Sequence, residues 1–151
     1  MYKKILLPID GSEISAIAAN AGISFARQIG AEIVTINVTQ PFSTLIGFDG
    51  MAASYAISDG DYEDAAQKEA KEYLKPVLER ADAAGVKVTS VITSNYNVAD
   101  GIIDAAKEHG CDLIYIATHG RSGLSRLLLG SVTTKVISLA PVSVLVYRVQ
   151  S

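Results

Sequence analysis

The sequence predicts one α/β domain across residues 1–151, a doubly wound five-stranded parallel sheet with helices on both faces. Two observations predict it. Short aliphatic runs alternate with stretches of 3.6-residue apolar period, giving the order β-α-β-α-β-α-β-α-β. The runs are also apolar on successive residues, as strands buried on both faces must be. Right-handed crossovers then leave few topologies, and ligands of such sheets bind beyond the C-terminal strand ends, where the strand order reverses.

Each element follows from local chemistry. Lys3 to Ile9 reads as the first strand, broken by Asp10-Gly11-Ser12. Ser12 or Asp10 can cap the next helix, and Glu13 suits its first turn. Ile14, Ile17, Ala18, Ala21, Phe25 and Ile29 have helical spacing and predict a buried stripe, closed by Gly30. Ala31 to Val38 is β-branched and reads as the second strand. Gln40 to Ser58 has no period; it reads as a lid, an interaction surface or a plain insert. Asp59 to Ala84 is helical, with Ala66, Ala70, Tyr73, Leu74, Val77 and Ala81 on one side; Pro76 is expected to kink it near Tyr73 or end it there. Val86 to Thr93 is the third strand. Asn97 caps a helix running to Gly110, Asp112 to Ala117 is the fourth strand, Ser131 to Leu139 the last helix, and Val142 to Tyr147 the fifth strand.

Composition excludes several function classes. Hydrophobic residues make up 49% and charged residues 19%, which suits a packed core rather than disorder. A net charge of −3 gives no broad basic field for nucleic acid. No apolar stretch is long enough to span a bilayer, and Pro8 and Asp10 end the first run too early for a signal peptide. With Cys111 as the sole cysteine no intrachain disulfide forms; a reducing, cytoplasmic setting and a packing role for Cys111 are the expectations.

The chemistry concentrates in Ala117 to Ser131, which reads A-T-H-G-R-S-G-L-S-R-L-L-L-G-S. Glycines allow close backbone approach, and backbone N–H groups at a helix start attract anions. The stretch therefore reads as a phosphate-binding loop, with an ordinary strand-to-helix loop as the alternative. Ser131 stands at the expected N-cap. With Asp10 and Val38 at other strand ends, the Gly120 loop is expected to meet them at one crevice. Asp10 has two readings, a divalent-ion ligand or a helix cap; His119 likewise faces a phosphate or ribose, or serves the loop itself. There is no G-x-x-x-x-G-K-[ST], no G-x-G-x-x-G after the first strand, no G-x-S-x-G, and no metal-ligand spacing around His109 and His119.

Asp112 to Arg148 closely resembles the C-terminal signature of the universal stress protein family, and Tyr2 to Glu13, Y-K-K-I-L-L-P-I-D-G-S-E, resembles its opening. The resemblance implies a Rossmann-like fold of the adenine nucleotide hydrolase-like type and, for the ATP-binding subgroup, the pattern G-x2-G-x9-G-[ST]. Gly120, Gly130 and Ser131 match that pattern, whereas Ala117 replaces its first glycine. By the same resemblance Pro8, Ile9 and Asp10 line the nucleotide, and the Val38 backbone meets the adenine edge. Ala117, Thr118, His119, Gly120, Arg121, Ser122 and Gly123 wrap ribose and phosphates, while Ser131, Val132 and Thr133 meet the phosphates. ATP with Mg2+ or Mn2+, the ion near Asp10, is the implied cofactor, and a homodimer through strand 142–148 the implied assembly. The expected function is an ATP-binding regulatory, stress-response protein. No evident general base faces a γ-phosphate, so slow hydrolysis is the most that is expected. The alternative is a nucleotide-free dimeric interaction module of the same family.

Overall fold

The computed structural model describes residues 1–44, 58–119 and 129–149. Five strands, β1 (Lys4–Pro8), β2 (Glu32–Thr39), β3 (Val88–Ser94), β4 (Leu113–His119) and β5 (Ser143–Val149), form one sheet in the order β3-β2-β1-β4-β5, and all its pairings are parallel. The helices are α1 (Glu13–Ile29), α2 (Asp59–Ala83), α3 (Val98–Glu108) and α4 (Ser131–Leu139). The order of strands reverses between β1 and β4, which makes that junction the topological switch point.

Side-chain alternation divides the core into two layers. Ile5, Leu7, Ile33, Leu113 and Tyr115 project to one side of the sheet, under α1 and α2. Leu6, Val34, Ile36, Ile114 and Ile116 project to the other, under α3 and α4. Full burial of an aliphatic side chain stabilises by about 1.5–3 kcal/mol, and Ile5, Leu6, Leu7, Ile33, Ile36 and Ile114 are all almost fully enclosed. Cys111 belongs to the α3 side; burial pushes its thiol up to about 11, so it acts as a packing residue.

Two elements depart from the pattern expected of them. The stripe that α1 buries is Ser15, Ala18, Ala19, Gly22, Ile23 and Ala26, while Ile17 and Ile29 stay 38% exposed. The reason is proximity: a Cβ on Gly22 would lie 2.7 Å from Leu7 Cδ2, so the helix sits too close to the sheet there for any side chain at position 22. Apolar spacing alone weights large side chains and therefore turns the helix too far. The second departure is Pro76, which neither ends α2 nor interrupts it. Proline removes one intrahelical bond, but Pro76 is on the exposed side and the buried Leu74 and Val77 anchor both halves to the sheet. The other boundaries move by a residue or two. β4 is the consequential one, because it runs past the expected end at Ala117 and takes in Thr118 and His119. Of the insert from Gln40 to Ser58, residues 45–57 lie outside the described residues.

These contacts set two stability expectations. Gly22→Val should cost about 1–3 kcal/mol in urea unfolding, the usual effect of overpacking; an unchanged midpoint would mean α1 is not held this close. Pro76→Ala should stabilise by about 1–2 kcal/mol, the gain in helix propensity less the loss of a restricted unfolded chain. A lower melting temperature would show that Pro76 is matched to its site.

Candidate functional site

The site exists because the central strand stops before its neighbours. β1 pairs with β2 only as far as Pro8↔Ile36, and β2 continues through Asn37, Val38 and Thr39. On the other side the β1–β4 ladder reaches Leu6↔Ile114, and β4 continues to His119. β2 and β4 thus stand as two walls over the turned-away end of β1. Between them lies a cavity of about 210 Å³. Pro8, Ile9 and Asp10 form its floor; Ile36 and Val38 line one wall, Ile116, Ala117 and Thr118 the other. Val98 and Ile102 of α3, Ile14 and Ser15 of α1, and Val132 and Thr133 of α4 close it. A mostly apolar cleft with polar groups at its rim is the usual form of a small-molecule site.

The backbone edges of the walls carry hydrogen-bonding capacity. Ile36 O accepts from Ile9 N at 2.8 Å, so Ile36 turns its peptide groups toward β1. The two-residue period of a strand turns Val38 the same way, at a height where β1 no longer runs alongside. A close approach of α3 supports this edge: a Cβ on Gly101 would lie 2.8 Å from Val38 Cγ1. On the floor, Asn37 Nδ2 donates to Ile9 O at 2.8 Å and fixes the bend that follows Pro8.

The rim holds one anion and one set of donors. Asp10 Oδ1 accepts from Ser12 N at 2.9 Å and from Ser12 Oγ at 2.6 Å. Partial burial pushes its carboxyl up, but the hydrogen bonds from Ser12 outweigh this and hold it below the ordinary carboxylate value. Asp10 is therefore ionised at neutral pH. The cap of α1 is Ser12, whose Oγ accepts from Ser15 N at 3.1 Å, so Asp10 braces the cap rather than serving as it. Gly11 between them has φ +82 and lies under the Tyr73 ring, a position closed to other residues.

α4 begins differently from the expectation. Its N-cap is Gly130, not Ser131, and among the described residues no side chain caps it. Gly130 is in extended backbone with ψ 153, which makes Ser131 the first helical residue. α1, α2 and α3 are capped by Ser12, Ser58 and Asn97. The first-turn N–H groups of Ser131, Val132 and Thr133 have no intrahelical acceptor by geometry, and they sit at the positive end of the helix dipole. Thr133 Oγ1 donates to Ala117 O at 3.3 Å and ties this helix start to β4.

Thus Pro8, Ile9, Asp10, Val38, Ala117, Thr118, Gly130, Val132 and Thr133 come together around one cleft, while Ser131 is the exposed first residue of α4 beside it. Gly120, Arg121, Ser122 and Gly123 lie outside the described residues, as does the side chain of His119. Sequence reasoning missed Ser12, Ile14, Ser15, Ile36, Val98, Ile102 and Ile116 as lining residues. Part of their signal is their place: Ser12, Ile14, Ser15 and Val98 stand at a helix N-cap or in a first turn, whereas Ile36 and Ile116 lie inside their strands and Ile102 in the second turn of α3. Among the described residues no three metal-ligating side chains cluster.

Comparisons with known proteins agree with this architecture. The universal stress protein family matches residues 1–148. The universal stress protein MJ0531 of Methanocaldococcus jannaschii is 35% identical over 148 residues, 98% of this chain and 83% of that protein. The solved structure of the hypothetical protein MJ0577 superposes with a TM-score of 0.79 at 27% identity, covering 100% of this chain and 99% of that one. The structure of an Archaeoglobus fulgidus universal stress protein in complex with dAMP has the same fold, with a TM-score of 0.63 at 20% identity over 96% of this chain and 97% of that one. With the opening motif, the switch-point cleft and whole-length similarity all in agreement, the chain belongs to the universal stress protein family.

Proposed function

We propose that the protein binds an adenine nucleotide, ATP with Mg2+ or Mn2+, in the switch-point cleft, and acts as a regulatory stress-response protein that hydrolyses it slowly at most. The observation that carries this reading is the pairing of an apolar slot with a helix start at its rim that no described side chain caps. A planar base fits between Ile36, Val38, Val98, Ile102 and Ile116, where the Val38 peptide groups offer one donor and one acceptor to its edge. Phosphates then lie at Gly130, Ser131, Val132 and Thr133, over amides and a helix dipole that favour anions. Asp10, ionised and lining the same cleft, would hold a cation that accompanies the phosphates. The family relative solved with dAMP supports the class of ligand. No membrane-crossing helix occurs among the described residues, and we place the protein in the cytoplasm.

Ala117, the departure from the glycine pattern, is compatible with this reading. Its side chain packs with the α1-side cluster, away from the α4 amides, while its carbonyl is held by Thr133. A methyl group on that side does not obstruct phosphates at α4, which favours nucleotide binding over a nucleotide-free module.

We further propose a homodimer through strand 142–148. β5 is an edge strand, and its Val144, Leu145, Val146 and Tyr147 are only half-buried. A second copy at this edge would satisfy its open peptide groups and cover that apolar surface.

Two measurements test the proposal. Calorimetric titration with ATP and Mg2+ should give saturable binding, and Gly130→Val should weaken it at least about tenfold, roughly 1.4 kcal/mol. Among the described residues a Cβ at Gly130 meets no atom within 4 Å, and its φ of −55 suits any residue, so the variant keeps its fold. Equal affinity in the two proteins would remove the α4 start from the site, and no binding at millimolar ATP would favour the nucleotide-free module. Sedimentation equilibrium should return the mass of two chains; the mass of one chain across micromolar concentrations would refute the dimer.

A further inference from the structure

A proline in the central strand of a sheet is an anomaly, since it withholds a ladder hydrogen bond. Pro8 is such a residue: β1 is central in β3-β2-β1-β4-β5, and Pro8 is its last member. The direction of the missing donor follows from its neighbours. Ile9 N donates to Ile36 O of β2 at 2.8 Å, and Lys3 O accepts from Glu32 N at 2.9 Å, so odd-numbered peptides of β1 face β2. Lys4 O accepts from Asp112 N at 2.9 Å, so even-numbered ones face β4. The N–H absent at Pro8 would therefore have pointed at β4.

The two ladders differ accordingly. β1 pairs with β2 from Lys4 to Pro8, but with β4 only at Ile5↔Leu113 and Leu6↔Ile114. The ladder that ends early is the one on the switch-point side, and the cleft opens where it ends.

We propose that Pro8 is a positioning residue: by giving β4 no donor at the last position of β1, it stops the two strands from zipping further and holds the slot between them open. Its contact with a ligand is secondary. The inference rests on the nucleotide reading for its functional consequence, but the open ladder itself does not.

The test is Pro8→Ala, with Pro8→Val as the second variant should the first not fold. Amide hydrogen exchange of the nucleotide-free variant reads the ladder, and ATP titration reads the slot. The new residue-8 amide should exchange on the order of 100-fold slower than an unprotected peptide, the mark of a bond to β4. ATP affinity should fall at least about tenfold. Exchange at the unprotected rate would overturn the proposal, as would a protected amide with affinity within about twofold of the wild type. If the wild type binds no ATP, the nucleotide reading falls on its own, and the exchange rate still decides whether Pro8 stops the ladder.

Discussion

The structure depends on a mismatch in strand length at the centre of one sheet. β1 is almost fully enclosed at Ile5, Leu6 and Leu7, yet it leaves the sheet at Ile9 while β2 and β4 go on. Everything at the site is a response to that early exit. Asn37 holds the departing carbonyl of Ile9, Asp10 and Ser12 fold the chain into α1, and the walls of β2 and β4 are left with backbone edges that no strand covers. A parallel sheet normally satisfies its peptide groups within itself. Here a few are reserved, at the place where the topology already opens a crevice.

Close packing of the layers keeps the opening fixed. Gly22 lets α1 settle onto Leu7, and Gly101 lets α3 settle against Val38. The Lys135–Asp100 ion pair at 2.9 Å joins α4 to α3; half-exposed, it contributes modestly, in the range of surface pairs. Thr133 anchors α4 to the β4 carbonyl at Ala117. The cleft is therefore bounded by elements that are each tied to the sheet, and its shape follows from backbone placement more than from any one side chain.

Much of this was legible in the residues, and the exceptions have physical causes. The alternation of aliphatic runs and helical periods gave the element order, because strand burial on both faces and helix burial on one leave different periods. The crevice at Asp10, Val38 and the end of β4 followed from topology alone. The turn of α1 was misread because small residues at Ala18, Ala19, Gly22 and Ala26 carry little hydrophobic weight but allow the closest approach. The cap of α4 was misplaced because a serine beside a glycine looks like a cap, whereas extended backbone at Gly130 makes the glycine itself the cap. The end of β4 was set too early because Thr118 and His119 are polar, and strand pairing with Arg148 and Val149 of β5, not polarity, decides where that strand stops. The apolar walls of the cleft were invisible as a site, since Ile36, Ile102 and Ile116 read as ordinary core.

The central claim is that the vacated end of β1 is where a nucleotide enters. Its most direct test is a titration of isotope-labelled protein with AMP, followed through backbone amide resonances. The account predicts saturable shifts at Ile9, Asp10, Val38 and Thr118 together with Ser131, Val132 and Thr133. Shifts confined to other surfaces, or none at millimolar AMP, would contradict it.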